Sequence, residues 1–462
     1  MKFNSFLESL RGIKISHQEN YTFSTEALSI EQLFQPISNE IREKFYDYAK
    51  HNDFIEKFKG IIKGEISNFT EIKPVTHFQY KTSSFVKDHW NLFSIAKRIK
   101  SSYKRVIFFG IGGSNLGPKL MNDIYKNKDL DIIFITGSDP DEYSSIEVTK
   151  NDAFVVSSKS FGTLETLTAY REVCGDKFYD QTFAITANGR NANKFGIDEK
   201  NIVTFDSSTG GRFSIWSPIN LVLCLSEGEK GFNDFLLGGY LLDKACLKNP
   251  ENNPAFQLSI QDIIFNNLLD AQTTLLVNYD YRLRNFVKFA QQVEMESNGK
   301  SIDRNDKKVE YQTGSIIWGG YGPESQHSFF QHIFQGTKDM NKYFICSKSD
   351  KLNFKQMNAQ IESLVEGNEE EKDIHKRTNI SGATKVELKD LSPYSIGQLI
   401  SLWENKTIFN SIFWNTNAFD QWGVELGKEL TTGLENFLTT GFDSNDLNAS
   451  TQNLVKVAKT MR

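Results

Sequence analysis

From residue 105 onward the chain alternates between short apolar runs and longer mixed stretches. The runs are 105–109 (RVIFF), 131–136 (DIIFIT), 153–157 (AFVVS), 181–186 (QTFAIT) and 201–205 (NIVTF). A second series follows at 274–279 (TLLVNY), 315–320 (SIIWGG) and 343–347 (YFICS). Runs of this length, rich in β-branched and aromatic residues and separated by helix-like segments, predict parallel strands in an α/β fold. Before residue 100 the texture differs. Ile41, Phe45, Tyr48, Phe54, Phe58, Ile61 and Ile62 recur with helical spacing over 38–63, so residues 1–100 are expected to be a helical N-terminal region. The stretch 226–256 is punctuated by Gly, Asn and Pro (EGEKGF, NPENNP) and suggests a domain boundary. Residues 350–380 carry a charge run (EGNEEEKDIHKR) that reads as a solvated helix or loop. The stretch 395–414 reads as a helix, and the tail from 420 as helix, then polar chain. The expected division is a helical region over 1–100, a first α/β domain over 101–250, a second over 260–422 and a helical extension over 423–462. No simple repeat of 20–50 residues is present, although two α/β units that are distant structural copies would fit the pattern.

Loops that follow the strands of an open α/β sheet are where ligands bind, and six segments carry candidate chemistry. Gly110-Ile111-Gly112-Gly113-Ser114-Asn115-Leu116-Gly117 follows a strand and opens a helix. Its glycines admit close backbone approach and its helix start offers free N–H groups. Alone, it serves a tight turn as well as a ligand loop, and it lacks the full G-x-G-x-x-G of a dinucleotide site. Ser158-Lys159-Ser160-Phe161-Gly162-Thr163-Leu164-Glu165-Thr166 follows another strand. One hydroxyl there would read as a helix cap, but four hydroxyls with a lysine and a glycine favour a cradle for a single phosphate. Gly210-Gly211-Arg212 puts a planar, permanently charged donor beside flexible backbone, which suits either an oxyanion or a structural ion pair. In 291–300 (QQVEMESNGK), Gln292 and Glu296 share a helix face near a Ser-Asn-Gly stop. Glu296 is a candidate base, with Glu294 a competitor and a solvated carboxylate the plain alternative. His327 and His332 are two of only seven histidines, and their spacing of five is poor for two metal ligands on one helix face. Either is a candidate for proton transfer or a structural histidine. Lys428 can reach an anion or pair with Glu425 along a helix.

Composition narrows the classes. The chain has 462 residues, 39% hydrophobic and 24% charged, with a net charge of −5. That is enough apolar material for large cores and gives no overall basic footprint for nucleic acid. The cysteines Cys174, Cys224, Cys246 and Cys346 are scattered without a C-x-x-C pair, which suits reduced, buried thiols and a cytoplasmic protein. The first twenty residues lack the apolar core of a signal peptide, and no apolar run is long enough to span a bilayer. A soluble protein with no membrane partner, no metal and no cofactor is therefore expected.

The segments together resemble the phosphoglucose isomerase family. FDQWGVELGK (419–428) is one of its signature stretches and GGRFSIWSPIN (210–220) resembles the other. GIGGSNLGP, SKSFGTLET, MESNGK, TGSIIWG, SQHSFFQHIFQGTK and SPYSIGQLISLWENK stand in the family's order, and the resemblance covers roughly 104–430. It implies two sugar-isomerase α/β domains with parallel sheets, helical N- and C-terminal extensions, and a homodimer with a shared active site. It implies interconversion of glucose 6-phosphate and fructose 6-phosphate in glycolysis and gluconeogenesis. Under it, Glu296 moves a proton between C2 and C1 through a cis-enediol(ate), and Arg212 stabilises that intermediate. His327 and Lys428 serve ring opening and hydroxyl proton movement. Gln292 binds substrate, and Ser158, Lys159, Ser160 and Thr163, with Gly113 and Ser114, hold phosphate and sugar. One carboxylate, one arginine, one histidine and one lysine meet the chemical needs of aldose–ketose isomerisation without metal or nucleotide. The chain departs from the family where Ser160 and Gly162 stand for threonines and where Gly320 stands for a glutamate. Rival readings are relaxed specificity that includes mannose 6-phosphate, and a non-catalytic sugar-phosphate sensor.

Overall fold

The computed structural model describes residues 2–13, 20–349, 351–440 and 448–460. Met1–Phe419 forms one compact unit and Asp420–Arg462 another. Parts of the N-terminal stretch (14–19) and of the tail (441–447) lie outside the described residues.

The first sheet holds β3 (Arg105–Phe109), β4 (Asp131–Ile135), β5 (Asp152–Ser157), β6 (Thr182–Thr186) and β7 (Ile202–Thr204), in the order β4-β3-β5-β6-β7, all parallel. The second holds β1 (Tyr21–Ser24), β2 (Leu28–Leu33), β8 (Thr273–Asn278), β9 (Ile316–Tyr321), β10 (Asn341–Ser347) and β11 (Ala383–Leu388), in the order β1-β2-β11-β10-β8-β9. Its β9-β8-β10-β11 part is parallel and repeats the arrangement β4-β3-β5-β6, so the two α/β layers are structural copies. Each sheet reverses its order of addition beside its first parallel strand, at β3/β5 and β8/β10, which opens a crevice at the carboxyl ends of those strands.

The strands read as unbroken apolar runs because both faces are covered. Val106 and Phe108 of β3 point into a large inner core, while Ile107 and Phe109 point into an outer one. Tyr343 and Ile345 of β10 enter the same inner core, and Phe344 and Cys346 enter a third cluster. The inner core also takes the helices Leu221–Ala245, Pro254–Ile263 and Pro393–Phe413, so one apolar cluster joins both sheets. The helix expected at 395–414 is this last one, and it is buried on every side from Ser395 to Phe413.

One expectation changes. Residues 1–100 are not helical throughout: besides Asn39–His51 and Phe54–Lys63 they supply the β1–β2 hairpin, whose β2 pairs antiparallel with β11. The reason is the period-two burial of Leu28, Ile30 and Gln32, a strand signal six residues long. The stretch 226–256 is mostly helix, broken at Gly228 (φ +70°), because Phe232, Phe235, Leu236 and Leu242 join the inner core. The charge run is solvated, but the helix Leu352–Glu366 beside it buries Met357, Ile361 and Leu364. The C-terminal unit holds the helices Glu425–Thr440 and Ala449–Thr460. All four cysteines are buried and unbonded to one another.

An ion pair ties the N-terminal region to the inner helices. Lys81 Nζ lies 2.6 Å from Asp243 Oδ2, both side chains buried. Asp243 also accepts from Ser401 and Asn405 of the central helix. Removing the ammonium leaves Asp243 and the nearby Glu404 as unmatched buried carboxyls. Lys81→Met is expected to cost about 3–5 kcal/mol of stability, measured as a loss of denaturation midpoint. A change below about 1 kcal/mol would mean that the pair does not hold these elements together.

Candidate active site

The chain leaves β3 at Phe109 and enters a 3-10 turn, Gly112–Ser114, before the helix Leu116–Ile124. Gly112 has φ +56°, and a Cβ there would stand 3.2 Å from Gln292 Nε2. At Gly113 a Cβ would sit 2.1 Å from the carbonyl oxygen of Gly211, so the two glycine loops meet backbone to backbone. Ser114 is half-buried and its amide donates to Ile111 O at 3.1 Å. These contacts bring the loop after β3 against both the Arg212 segment and the helix that carries Gln292.

Arg212 lies in a 3-10 stretch, Gly211–Trp216, and its side chain is 1% exposed. Its Nε donates to Ser297 Oγ at 2.6 Å and its Nη2 to the carbonyl of Ala418. Its Nη1 lies 3.3 Å from Glu296 Oε2. The guanidinium is thus seated by two neutral acceptors and turns one edge to the carboxylate. Ser214 Oγ donates to Gly211 O at 2.7 Å and fixes the loop that carries it.

Glu296 is reached through an irregularity. The helix Phe286–Gln291 runs into a π-turn, Gln292–Glu296, before it stops at Asn298. A π-turn inserts one residue into the helical ladder and re-aims the side chains beyond it. Here it leaves the Glu296 side chain 28% exposed and sends Glu294 into the interior, 5% exposed. Of the two glutamates, Glu296 is the one that meets Arg212. Lys300 Nζ donates to Glu296 O at 3.1 Å and to Asn417 O at 3.0 Å, closing the turn against the chain before 419.

The serine loop leaves the neighbouring strand, β5. Ser158 is buried, and its hydroxyl is 2.8 Å from Thr163 Oγ1. Thr163 is the residue before the helix Leu164–Cys174, and Ser160 is exposed. Phe161 holds φ +48° while its ring is buried in the outer core against Phe195. Left-handed backbone at a bulky residue costs about 1–3 kcal/mol, here offset by that ring. Lys159 is half-buried, and burial followed by the Lys73 charge pulls its amine down to about 8, with Arg212 adding to the effect.

Sequence reasoning missed His77. It is fully buried, stacked on Phe213 at 4.7 Å between ring centroids, with neither ring nitrogen hydrogen-bonded among the described residues. Burial, then the Lys81 and Arg212 charges, hold the imidazole well below its ordinary range. It stays neutral behind Arg212 and adds no competing positive charge. A histidine in KPVTHFQYK gives no pattern by which this could be read. Ser297, Lys300 and the carbonyls of Asn417 and Ala418 were also unassigned, although they border recognised motifs.

Two expected residues are not among these contacts. His327 ends the helix Gly322–Gln326 and is exposed, with no side-chain hydrogen bond or ion pair among the described residues. Lys428 belongs to the C-terminal unit, is exposed, and pairs with Glu425 at 2.8 Å. Gln292, Glu296, Arg212, Gly113 and Ser114 lie in touching segments, with Ser158, Lys159, Ser160 and Thr163 on the loop after the adjacent strand.

The neutral His77 has a consequence for stability. Its folded pKa lies below its unfolded value, so below about pH 6.5 the unfolded chain binds a proton that the fold refuses. Stability is lost as pH falls through that window, at about 1.4 kcal/mol per pH unit for one group. His77→Phe keeps the stack on Phe213 and is expected to flatten the acid slope by about one proton, read from denaturation between about pH 6.5 and pH 5. An unchanged slope would contradict a buried neutral imidazole.

Comparison with known proteins assigns a family to this geometry. The sequence profile described as "Phosphoglucose isomerase" matches residues 34–455. The glucose-6-phosphate isomerase of Wigglesworthia glossinidia brevipalpis is 32% identical over 479 aligned residues, covering 88% of this chain and 87% of that protein. Glucose-6-phosphate isomerase 1 of Chromohalobacter salexigens is 31% identical, covering 92% and 86%. The crystal structure of a glucose-6-phosphate isomerase from Chlamydia trachomatis superposes with a TM-score of 0.86 over 100% of this chain and 99% of that one, at 24% identity, a likeness of fold. With a profile match along most of its length and relatives above 30% identity over nearly all of it, the chain belongs to the phosphoglucose isomerase family of enzymes.

Proposed function

We propose that the chain interconverts D-glucose 6-phosphate and D-fructose 6-phosphate by proton transfer through a cis-enediol(ate), in glycolysis and gluconeogenesis in the cytoplasm. The observation that carries this reading is the Arg212–Glu296 approach of 3.3 Å at a crevice edge. Moving a proton between adjacent carbons needs a base that reaches both and a cation beside the oxygen that becomes negative. Glu296 is the base, carried on a turn aimed at the crevice. Arg212, desolvated and pre-seated, stabilises the enediolate oxygen without reorganising at the moment of reaction. The names of the curated relatives support glucose 6-phosphate as the substrate to be isomerised.

The phosphate is held by Ser158, Ser160 and Thr163 with Lys159, next to the backbone of Gly113 and Ser114. Gln292, over Gly112, orients the sugar chain. His327 and Lys428 open the ring and move hydroxyl protons. The exposure of His327 supports its delivery into the site of a second copy, in a homodimer with a shared active site. No metal or nucleotide is needed, since every proton that moves has a side chain to carry it.

Turnover of fructose 6-phosphate with chelator present tests the activity. Glu296→Gln is expected to lower kcat by about 10²–10⁴-fold with little change in KM, as for loss of a general base. A folded wild type that binds the sugar phosphate without turnover would instead identify a sensor. The Lys159 amine, at about 8, is charged below that pH and neutral above it. kcat/KM should therefore fall above about pH 8, and Lys159→Met should raise KM and abolish this limb. A profile unchanged in the variant would remove Lys159 from the phosphate site. Gly162 is exposed and outside the left-handed region, and a Cβ there would make an ordinary contact, 3.6 Å from Ser160 Oγ. Gly162→Thr is expected to fold and to lower KM severalfold by adding a hydroxyl to the cradle; a raised KM would show that the added side chain blocks the phosphate.

A further inference from the structure

The π-turn that aims Glu296 is held from behind by a buried cluster with one charge too many. Glu294 lies in the same turn, and its Oε1 is 3.0 Å from Lys406 Nζ on the central helix Pro393–Phe413. The same ammonium is 2.7 Å from Asp262 Oδ2 on the helix Pro254–Ile263. Lys406 also lies over the rings of Trp403, at 4.4 Å, and Tyr343, at 5.1 Å. Asp262 accepts three further hydrogen bonds, from Asn341, Tyr343 and Asn410. Lys406 and Asp262 are thus a complete, neutral, hydrogen-bonded pair without Glu294. Glu294 is a surplus carboxylate in a dry site, and its Oε1 has no aligned hydrogen bond among the described residues.

A surplus buried carboxylate does not stabilise a fold; an apolar side chain of the same volume would do so at lower cost. Burial first, and then the Asp262 charge against the pull of Lys406, push its carboxyl up to about 7. Its position in the π-turn supplies what stability does not. A π-turn has a poorer ladder than the α-helix and persists where surrounding contacts impose it. Slipping it to α-helical register would turn the end of the turn by about 100°, carrying Glu296 away from Arg212 while Gln292, at the start of the turn, stays over Gly112. The contact between Glu294 and Lys406 lies away from Arg212 and opposes that slip.

We propose that Glu294 is a positioning residue for Glu296: by reaching Lys406 it locks the π-turn in the register that faces the base toward Arg212. The inference rests on Glu296 being the base. It concerns a side chain that touches neither substrate nor reacting atoms and acts only through the backbone it holds.

The test is steady-state kinetics of wild type, Glu294→Leu and Glu294→Gln, together with their melting temperatures. Glu294→Leu leaves the neutral Lys406–Asp262 pair intact, so it should fold and melt within a few degrees of wild type. Its kcat should fall by about 100-fold, the loss expected for a base misplaced by about 1 Å, with KM within about threefold, since the phosphate loop is untouched. Glu294→Gln keeps an oxygen for the Lys406 ammonium and should recover kcat to within about fivefold of wild type. A folded leucine variant with kcat within twofold of wild type would overturn the proposal. So would a loss of kcat that tracks melting temperature and KM together and is not recovered by glutamine, the mark of a merely structural residue. If the leucine variant does not fold, Glu294→Met carries the same comparison. A wild type without turnover would remove the base assignment, and this inference with it; an active wild type with indifferent Glu294 variants removes the inference alone.

Discussion

A guanidinium buried at residue 212 has to find an acceptor for each of its donating edges, and most of the site depends on how that demand is met. Partners of the guanidinium come from different places: Ser297 and Glu296 from the end of one helix, Ala418 from the chain after the central helix, and Arg212 itself from a loop after the first sheet. Leaving any of them out would strand a desolvated charge, which is costly. The seat therefore joins the first α/β layer to the second. Gly211 can approach Gly113 because Gly113 carries no side chain, and the π-turn is tolerated because its end residue Glu296 is claimed by Arg212 and Lys300.

The charges around this seat are graded. Arg212 is permanently charged and faces Glu296, Lys159 is weakened by burial and by its cationic neighbours, and His77 is kept neutral beneath Phe213. Behind the site, the central helix carries two buried carboxyl–ammonium clusters, Glu404 and Asp243 with Lys81, and Glu294 and Asp262 with Lys406. Such clusters contribute little net stability.

The strands of both sheets were legible because each is covered on two faces and so reads as an unbroken apolar run, as RVIFF and YFICS do. The hairpin and β11 were not, because LSIEQL and ATKVEL alternate over only six residues and mix Thr, Lys, Glu and Gln into the pattern. The glycine and serine loops announced themselves by their place after strands. The choice between Glu294 and Glu296 did not, since a π-turn breaks the 3.6 period by which helix faces are assigned. His77 and the carbonyl of Ala418 are positions that only tertiary contact defines. His327, exposed and without a side-chain partner among the described residues, and Lys428, in the C-terminal unit, are residues whose roles rest on family resemblance.

The central claim is that a carboxylate seated against Arg212 carries a proton between two neighbouring carbons. Tracing deuterium from C2 of glucose 6-phosphate into product and solvent tests it most directly. A base predicts that part of the label arrives at C1 of fructose 6-phosphate and part is lost to water, and that both processes nearly cease in Glu296→Gln. Complete retention of the label in product, as in a direct hydride shift, or equally fast exchange in the variant, would contradict it.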